Sequence, residues 1–374
     1  MFKENIQRRK ILFNILFFAR FLTLSPSYNR LRKKLTHLYK WKFYHLVFTA
    51  LMFYLYYLAF KIPSLPKKPY LDYFLDVTST FIIRLMNLIT MLGLIFTATR
   101  NWEEMLTYIV EIEEDLMDYS KFLGKTLTKR TIFWYYFKKV VLCVLIFIGE
   151  AVIARENYAR WFLLRGIALF EANLLMIIID DVAMIIKADF DLLNQVLIHD
   201  YIKNNKIENK ENNFPIEINK VAKIYIKLYK TMDIFNELFG WEVVLLYILT
   251  VMSSLPALEK IIGFEFGVKV IGDMILAFWR ITNCMFVTKT GHHIMKKGER
   301  FGTLIFTISN KLSRSSEYEL IRKDVRFLRE MYSEFKPELS AAAVFSIDYS
   351  VYYALFTLIM SYLAILMQFK YPNN

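Results

Sequence analysis

Apolar residues are gathered into seven blocks of roughly 20 residues, the length a helix needs to cross a bilayer. They run Phe43 to Phe60, Tyr73 to Thr99, Ile132 to Ala154, Trp161 to Ile186, Leu238 to Leu258, Val268 to Val287 and Ala341 to Phe369. The intervening stretches have a different period. Residues 101–129, 187–199 and 218–236 carry apolar positions at helical spacing among charges, which predicts amphipathic extensions of the spans. Residues 203–213 are Asn- and Lys-rich with little to bury, and read as a loop. Pro63, Pro66 and Pro69 end the first span, and Pro337 ends the mostly helical stretch 289–335. A shorter apolar run, Ile11 to Leu24, is interrupted by Asn14 and Arg20; it fits a re-entrant or interface-lying helix rather than a signal peptide or a span. The pattern predicts an all-α fold with seven transmembrane helices.

Charge gives that pattern a direction. Residues 1–42, 99–130, 187–236 and 289–336 hold 35 Lys and Arg, against eight in the segments on the other side (Lys61, Lys67, Lys68, Arg155, Arg160, Lys260, Lys269 and Lys370). Cytosolic loops carry the excess of basic residues, so the expectation is a cytosolic N-terminus and an extracellular C-terminus. The net charge of +13 is thus a topology signal, and no nucleic-acid partner is expected. Cys143 and Cys284 both fall in apolar blocks and read as buried thiols.

Several classes are excluded by what is missing. A G-protein-coupled receptor would have the opposite orientation, an Asp-Arg-Tyr after its third span and an Asn-Pro-x-x-Tyr in its seventh. A voltage sensor needs repeated Arg within one span, and the fourth block has only Arg165. No phosphate loop, zinc signature or dinucleotide glycine pattern occurs, so neither an enzyme nor a cofactor is expected. His292 and His293 are helix neighbours pointing different ways, a poor metal site.

Ionisable residues inside a span are costly and tend to be paired or to face water. Helix rise places Arg84, Glu171 and Arg280 about 16–18 Å from the outer surface, near the midplane. They form a candidate buried network, either flooring a ligand cavity or holding helices in register. Asp180 and Asp181 lie deeper and read as solvated at the cytosolic interface. A pocket opening outward would draw on Asp76, Thr80, Glu150, Trp161, Arg165, Tyr247, Ser254 and Asp273.

The last block carries the most specific pattern: Phe345-Ser-Ile347-Asp348, then Ser361-Tyr362, five residues, and Gln368-Phe369. This resembles the insect gustatory receptor family, whose final span typically carries Thr-Tyr, five residues and Gln-Phe; Ser361 replaces the Thr, one hydroxyl for another. The resemblance implies a tastant-gated, non-selective cation channel in the dendritic plasma membrane of sensory neurons. It implies four subunits, identical or mixed with other gustatory receptor subunits, around a pore lined by the last helix. Leu358, Ser361, Ile365 and Gln368 are spaced three, four and three apart and share one face. That face is the candidate pore and gate, unless it only packs against neighbouring helices. The division expected is a cytosolic segment 1–42, transmembrane helices 43–288, a cytosolic helical anchor 289–340, and a pore helix with a short tail, 341–374. Within the anchor, Leu320, Val325, Leu328, Met331 and Tyr332 form an amphipathic face suited to subunit contact. An odorant receptor subunit and a small-solute transporter are the alternatives.

Overall fold

A computed structural model of the chain describes residues 2–20, 24–26, 28–35, 38–61, 70–96, 98–117, 119, 166–205, 218–262, 268–312 and 319–370. The third apolar block lies outside them. The described residues form nine helices and two small hairpins. The helices are α1 (Phe2–Ala19), α2 (Leu38–Lys61), α3 (Tyr70–Phe96), α4 (Ala98–Met117), α5 (Ile167–Asn205), α6 (Ile218–Ile262), α7 (Val268–Leu312), α8 (Glu319–Glu334) and α9 (Tyr349–Lys370). The antiparallel hairpins are β1 (Tyr28–Asn29) with β2 (Lys34–Leu35), and β3 (Ser340–Ala341) with β4 (Phe345–Ser346).

The long helices organise the molecule. α5, α6 and α7 have 39, 45 and 45 residues. At 1.5 Å per residue each far outruns a ~30 Å hydrocarbon core. Each joins an apolar half to an amphipathic half, as the sequence pattern predicts. α5 and α6 pack along α7, α3 and α4 pack on α6, and α1 packs on α5. The amphipathic halves meet in an aromatic core: Tyr225 stacks on Phe301 at 4.6 Å, and Trp102 meets Phe239 edge-on at 5.4 Å.

Among the described residues, the helices at 218–261 and 270–310 are long and apolar enough to cross a membrane. A third crossing is possible if 81–95 and 98–117, bent 84° from each other, count as one span. The bend falls where the second apolar block gives way to the amphipathic stretch. There the buried face of α4 (Trp102, Met105, Ile109, Ile112) turns to cover α6.

Two boundaries and one packing face differ from the sequence pattern. α1 begins at Phe2, nine residues before the apolar run at Ile11, and includes a buried Arg9. The last apolar block is not one helix from Ala341; residues 340–346 form the β3–β4 hairpin and the helix starts at Tyr349. The apolar character of Ala341, Phe345 and Ile347 serves packing against α6 and α7 instead. On α8, Val325, Leu328 and Met331 are buried against the chain's own α6 and α7. The face expected to meet another subunit is therefore already covered.

The β3–β4 hairpin is clamped. Asn236 on α6 donates through Nδ2 to the Glu338 carbonyl at 3.0 Å and accepts from the Ser340 N–H at 2.9 Å. The Tyr225 hydroxyl donates to the Phe335 carbonyl at 2.5 Å. Glycines allow the close approach: a side chain on Gly240 would overlap the Ala342 backbone, and one on Gly298 would overlap Pro337. The hairpin turn also places Ala342 and Ala343 at φ 51° and 56°, a region costing a non-glycine residue about 1–2 kcal/mol. Two opposite results are expected from thermal melts of the solubilised protein. Gly240→Ala should destabilise by about 1–3 kcal/mol, since backbone cannot move aside. Ala343→Gly, at an exposed position, should stabilise by up to about 1 kcal/mol through relief of strain.

Candidate functional site

The last helix is held on one side only. Val351, Leu355, Ile359 and Tyr362 pack inward, the last three against Val251 and Leu255 of α6. Much of the rest of its described surface is exposed. Leu358 is 55% exposed and Ile365 50% exposed, and Ser361 and Gln368 are exposed as well. The uncovered surface divides by polarity. One part carries Thr357, Ser361 and Gln368 with Leu358 and Ile365; the other carries Tyr353, Phe356 and Met360. The second part suits lipid; on the first, Thr357 donates to the Tyr353 carbonyl of its own helix at 2.9 Å, while lipid offers nothing to match the Ser361 hydroxyl and the Gln368 amide. Within the family-like motif, Tyr362 thus has a packing place and Ser361 and Gln368 point outward. The Phe369 side chain lies outside the described residues.

A second constellation lies inside the bundle. Arg84, Asn87 and Thr90 on α3 are three residues apart in turn and share a face. Asn87 Nδ2 donates to Glu171 on α5 at 2.8 Å and to the Ala168 carbonyl at 3.1 Å. Thr90 donates to Glu242 on α6 at 2.9 Å. Glu171, Asn87 and Glu242 are all buried. The partner of Glu171 is therefore an amide, not either of the arginines named with it; Arg280 is buried and Arg84 half-buried in the same bundle. Glu242 was missed by the sequence reading. Its signal was available: an ionisable residue four positions inside an apolar block, which is costly unless it is paired or faces water. Asp180 and Asp181 correct the reading as solvated, since both are buried and Thr290 donates to Asp180 at 3.4 Å.

The pocket candidates separate. Glu150, Trp161 and Arg165 lie outside the described residues, as do the side chains of Asp76 and Thr80 on α3. Tyr247 is buried between helices, its hydroxyl 2.8 Å from Thr288 and its ring edge-on to Phe345 of the hairpin. Ser254 donates to the Thr250 carbonyl of its own helix. Asp273 pairs with Lys260 at 2.5 Å, tying α7 to the end of α6. Each of these three side chains is engaged by another protein group. A cleft of about 440 Å³ lies beside the hairpin, lined by residues such as Tyr229, Asp233, Asn236 and Glu338. Among the described residues, no cluster of His, Cys, Asp or Glu could hold a metal ion; His292 lies against the Tyr349 ring at 4.4 Å instead.

A third constellation anchors α1. The Arg9 guanidinium reaches both oxygens of Asp189 at 2.5 Å, the Ile109 carbonyl at 2.8 Å and Glu113 at 3.4 Å. Glu113 also holds Arg30 at 2.7 Å. Arg9, Asp189 and Glu113 are buried. Burial pushes the Asp189 carboxyl up to about 6, against the pull of Arg9.

Residues 12–373 match the model of the 7tm chemosensory receptor family. No curated protein matches the chain significantly in sequence. The fold is similar to the insect olfactory receptor OR5 from Machilis hrabei in complex with eugenol. That match has a TM-score of 0.64 and 13% identity, covering 98% of this chain and 99% of the other. A second structure of the same receptor gives a TM-score of 0.61 and 14% identity over the same shares.

Proposed function

As the chain belongs to the 7tm chemosensory receptor family, we propose that it is a gustatory receptor: a subunit of a ligand-gated, non-selective cation channel that detects tastants at the sensory neuron surface. The observation that carries the channel reading is the unpartnered polar stripe of α9. A helix packed through Leu355, Ile359 and Tyr362, with Ser361 and Gln368 left outward, needs either water or copies of itself at that face. Four copies around an axis supply both. Leu358 and Ile365 then form apolar rings that gate by dewetting, with hydroxyl and amide rings beside them for permeating cations. In this reading seven helices cross the plasma membrane, with the α1 and β3–β4 end of the bundle in the cytosol.

The Ser361-Tyr362 and Gln368-Phe369 pattern favours the gustatory branch. An odorant-sensing subunit is the second reading, favoured by the likeness to the olfactory receptor structures. The interior stripe of Asn87, Glu171, Thr90 and Glu242 offers polar groups on apolar walls, the chemistry of a small-molecule site. Voltage-clamped cells expressing the chain alone, then challenged with sugars, bitter alkaloids and volatile phenols such as eugenol, test these readings. Tastant-evoked inward current supports the gustatory channel. Current to volatile phenols alone supports the odorant branch. Saturable solute uptake without current refutes the channel and supports a transporter.

A prediction arises for the interior stripe. Asn87→Leu should remove the donor from a buried Glu171 and cost about 1–3 kcal/mol of stability. Asn87→Leu combined with Glu171→Leu should recover most of that loss, because no buried acid then lacks a partner. Thermal melts of both solubilised variants measure it; equal losses would separate the two residues energetically.

A further inference from the structure

Three helices bring cations within reach of one another in the bundle. Lys187 follows the apolar half of α5, after Ile186. Lys289 follows the apolar half of α7, after Val287, and His293 and Lys296 continue its face at i+4 and i+7. Arg8 comes from α1, which packs on α5. Lys187 lies within electrostatic reach of Lys289, Lys297 and Arg8, and His293 within reach of Lys187, Lys289 and Lys296. The acid facing this group is Asp191, which is ion-paired with Lys297 and also acts on Lys187. Among the described residues, no carboxylate lies within ion-pair distance of Lys187, Lys289 or Lys296. Lys289 and Lys296 are exposed and Lys187 is half-buried. Burial and the neighbouring cations both lower the proton affinity of Lys187.

Among the described residues, Lys187, Lys289 and Lys296 repel one another with no carboxylate at ion-pair distance, and an anion between them would offset that repulsion. The level is also specific. Lys187 and Lys289 sit within two residues of the point where an apolar helix half ends, the depth of a headgroup layer, and Lys296 follows two turns further along α7. Trp41 and Tyr44 at the start of α2, with Arg20 over the Trp41 ring at 5.0 Å, mark a similar boundary.

We infer that Lys187, Lys289, His293 and Lys296 form a binding site for the multiply phosphorylated headgroup of an inner-leaflet lipid. The inference rests on the membrane orientation proposed above. Several phosphates, each drawing on an ammonium group, match three lysines and an adjacent imidazole donor better than the single charge of phosphatidylserine. Such a lipid would pin α5 to α7 at the level where their apolar halves end.

The test uses the purified full-length chain in phosphatidylcholine nanodiscs doped with phosphatidylinositol bisphosphate or, separately, with phosphatidylserine. Retained lipid is counted by native mass spectrometry. Retention of the bisphosphate lipid is expected to exceed that of phosphatidylserine. It should fall roughly tenfold in the combined Lys187→Gln, Lys289→Gln and Lys296→Gln variant. Lys323→Gln with Arg326→Gln, an exposed pair on α8, should leave it unchanged, and Lys289→Arg should preserve it. Soluble inositol trisphosphate in place of the lipid is expected to bind weakly. Unchanged retention in the triple variant overturns the site. So does an equal loss in the α8 pair, or equal retention of phosphatidylserine. Tight binding of the soluble phosphate overturns a lipid as its occupant. Incorporation into nanodiscs and ligand-evoked current report separately on the receptor reading, so failure here leaves that reading standing.

Discussion

Ile365→Ser is expected to give a receptor that passes cations with no ligand present. Ile365 stands outward on α9, half exposed, one turn from Gln368. In a four-fold assembly its ring would exclude water when the helices draw together. A hydroxyl there lowers the cost of wetting, and the closed constriction should conduct. Basal current in cells matched for surface expression should rise several-fold. Gln368→Glu adds up to four negative charges beside the ion path, and reversal potentials should shift toward divalent selectivity. Phe356→Ala, on the apolar part of the uncovered surface, is the control and should change neither. If Ile365→Ser is silent at rest and Gln368→Glu leaves selectivity unchanged while both still respond to ligand, this face does not line the pore.

Removing the Arg9 side chain should have the largest effect on stability. Arg9→Met leaves Asp189 buried without its guanidinium, a change worth about 3–5 kcal/mol. Arg9→Met with Asp189→Leu should restore most of the loss, since replacing both members of a buried pair with apolar groups of similar size is often close to neutral. The pH dependence has a definite sign. The Asp189 carboxyl is pushed up to about 6 from its ordinary 3.8, so the folded chain holds that proton more tightly than the unfolded one. Its contribution to stability is full below about 3.8 and is lost as pH rises through 6. Melts of the wild-type protein should therefore gain stability from this group between pH 7 and 5, and Asp189→Asn should remove that part of the slope.

The helical architecture was legible because two periods dominate the chain. Apolar runs set the spans, and amphipathic stretches set their extensions, so α5, α6 and α7 emerge as long two-part helices from pattern alone. What escaped was polar chemistry turned inward. Asp180, Asp181 and Glu242 are buried, and Arg9 crosses 180 residues of sequence to reach Asp189. No local pattern records a partner that distant. The β3–β4 hairpin escaped for the opposite reason. Ala341, Phe345 and Ile347 are as apolar as a span, and only the approach of Gly240 and Gly291 to that segment shows that the apolarity serves packing. The stripe on α9 was legible because the family resemblance pointed to the last helix and the three-four-three spacing puts its members on one face; in the proposed assembly other copies cover it.

The central claim is that this stripe faces permeating ions, and cysteine accessibility tests it most directly. Cysteine is placed singly at Ile365 and, for comparison, at Tyr362, which packs against α6. Ligand-evoked current is recorded before and after a charged, membrane-impermeant thiol reagent is applied from outside. A pore-lining stripe predicts rapid irreversible block at position 365, faster with ligand than without, and no block at 362. Block at 362 with none at 365, both variants remaining ligand-responsive, would contradict it.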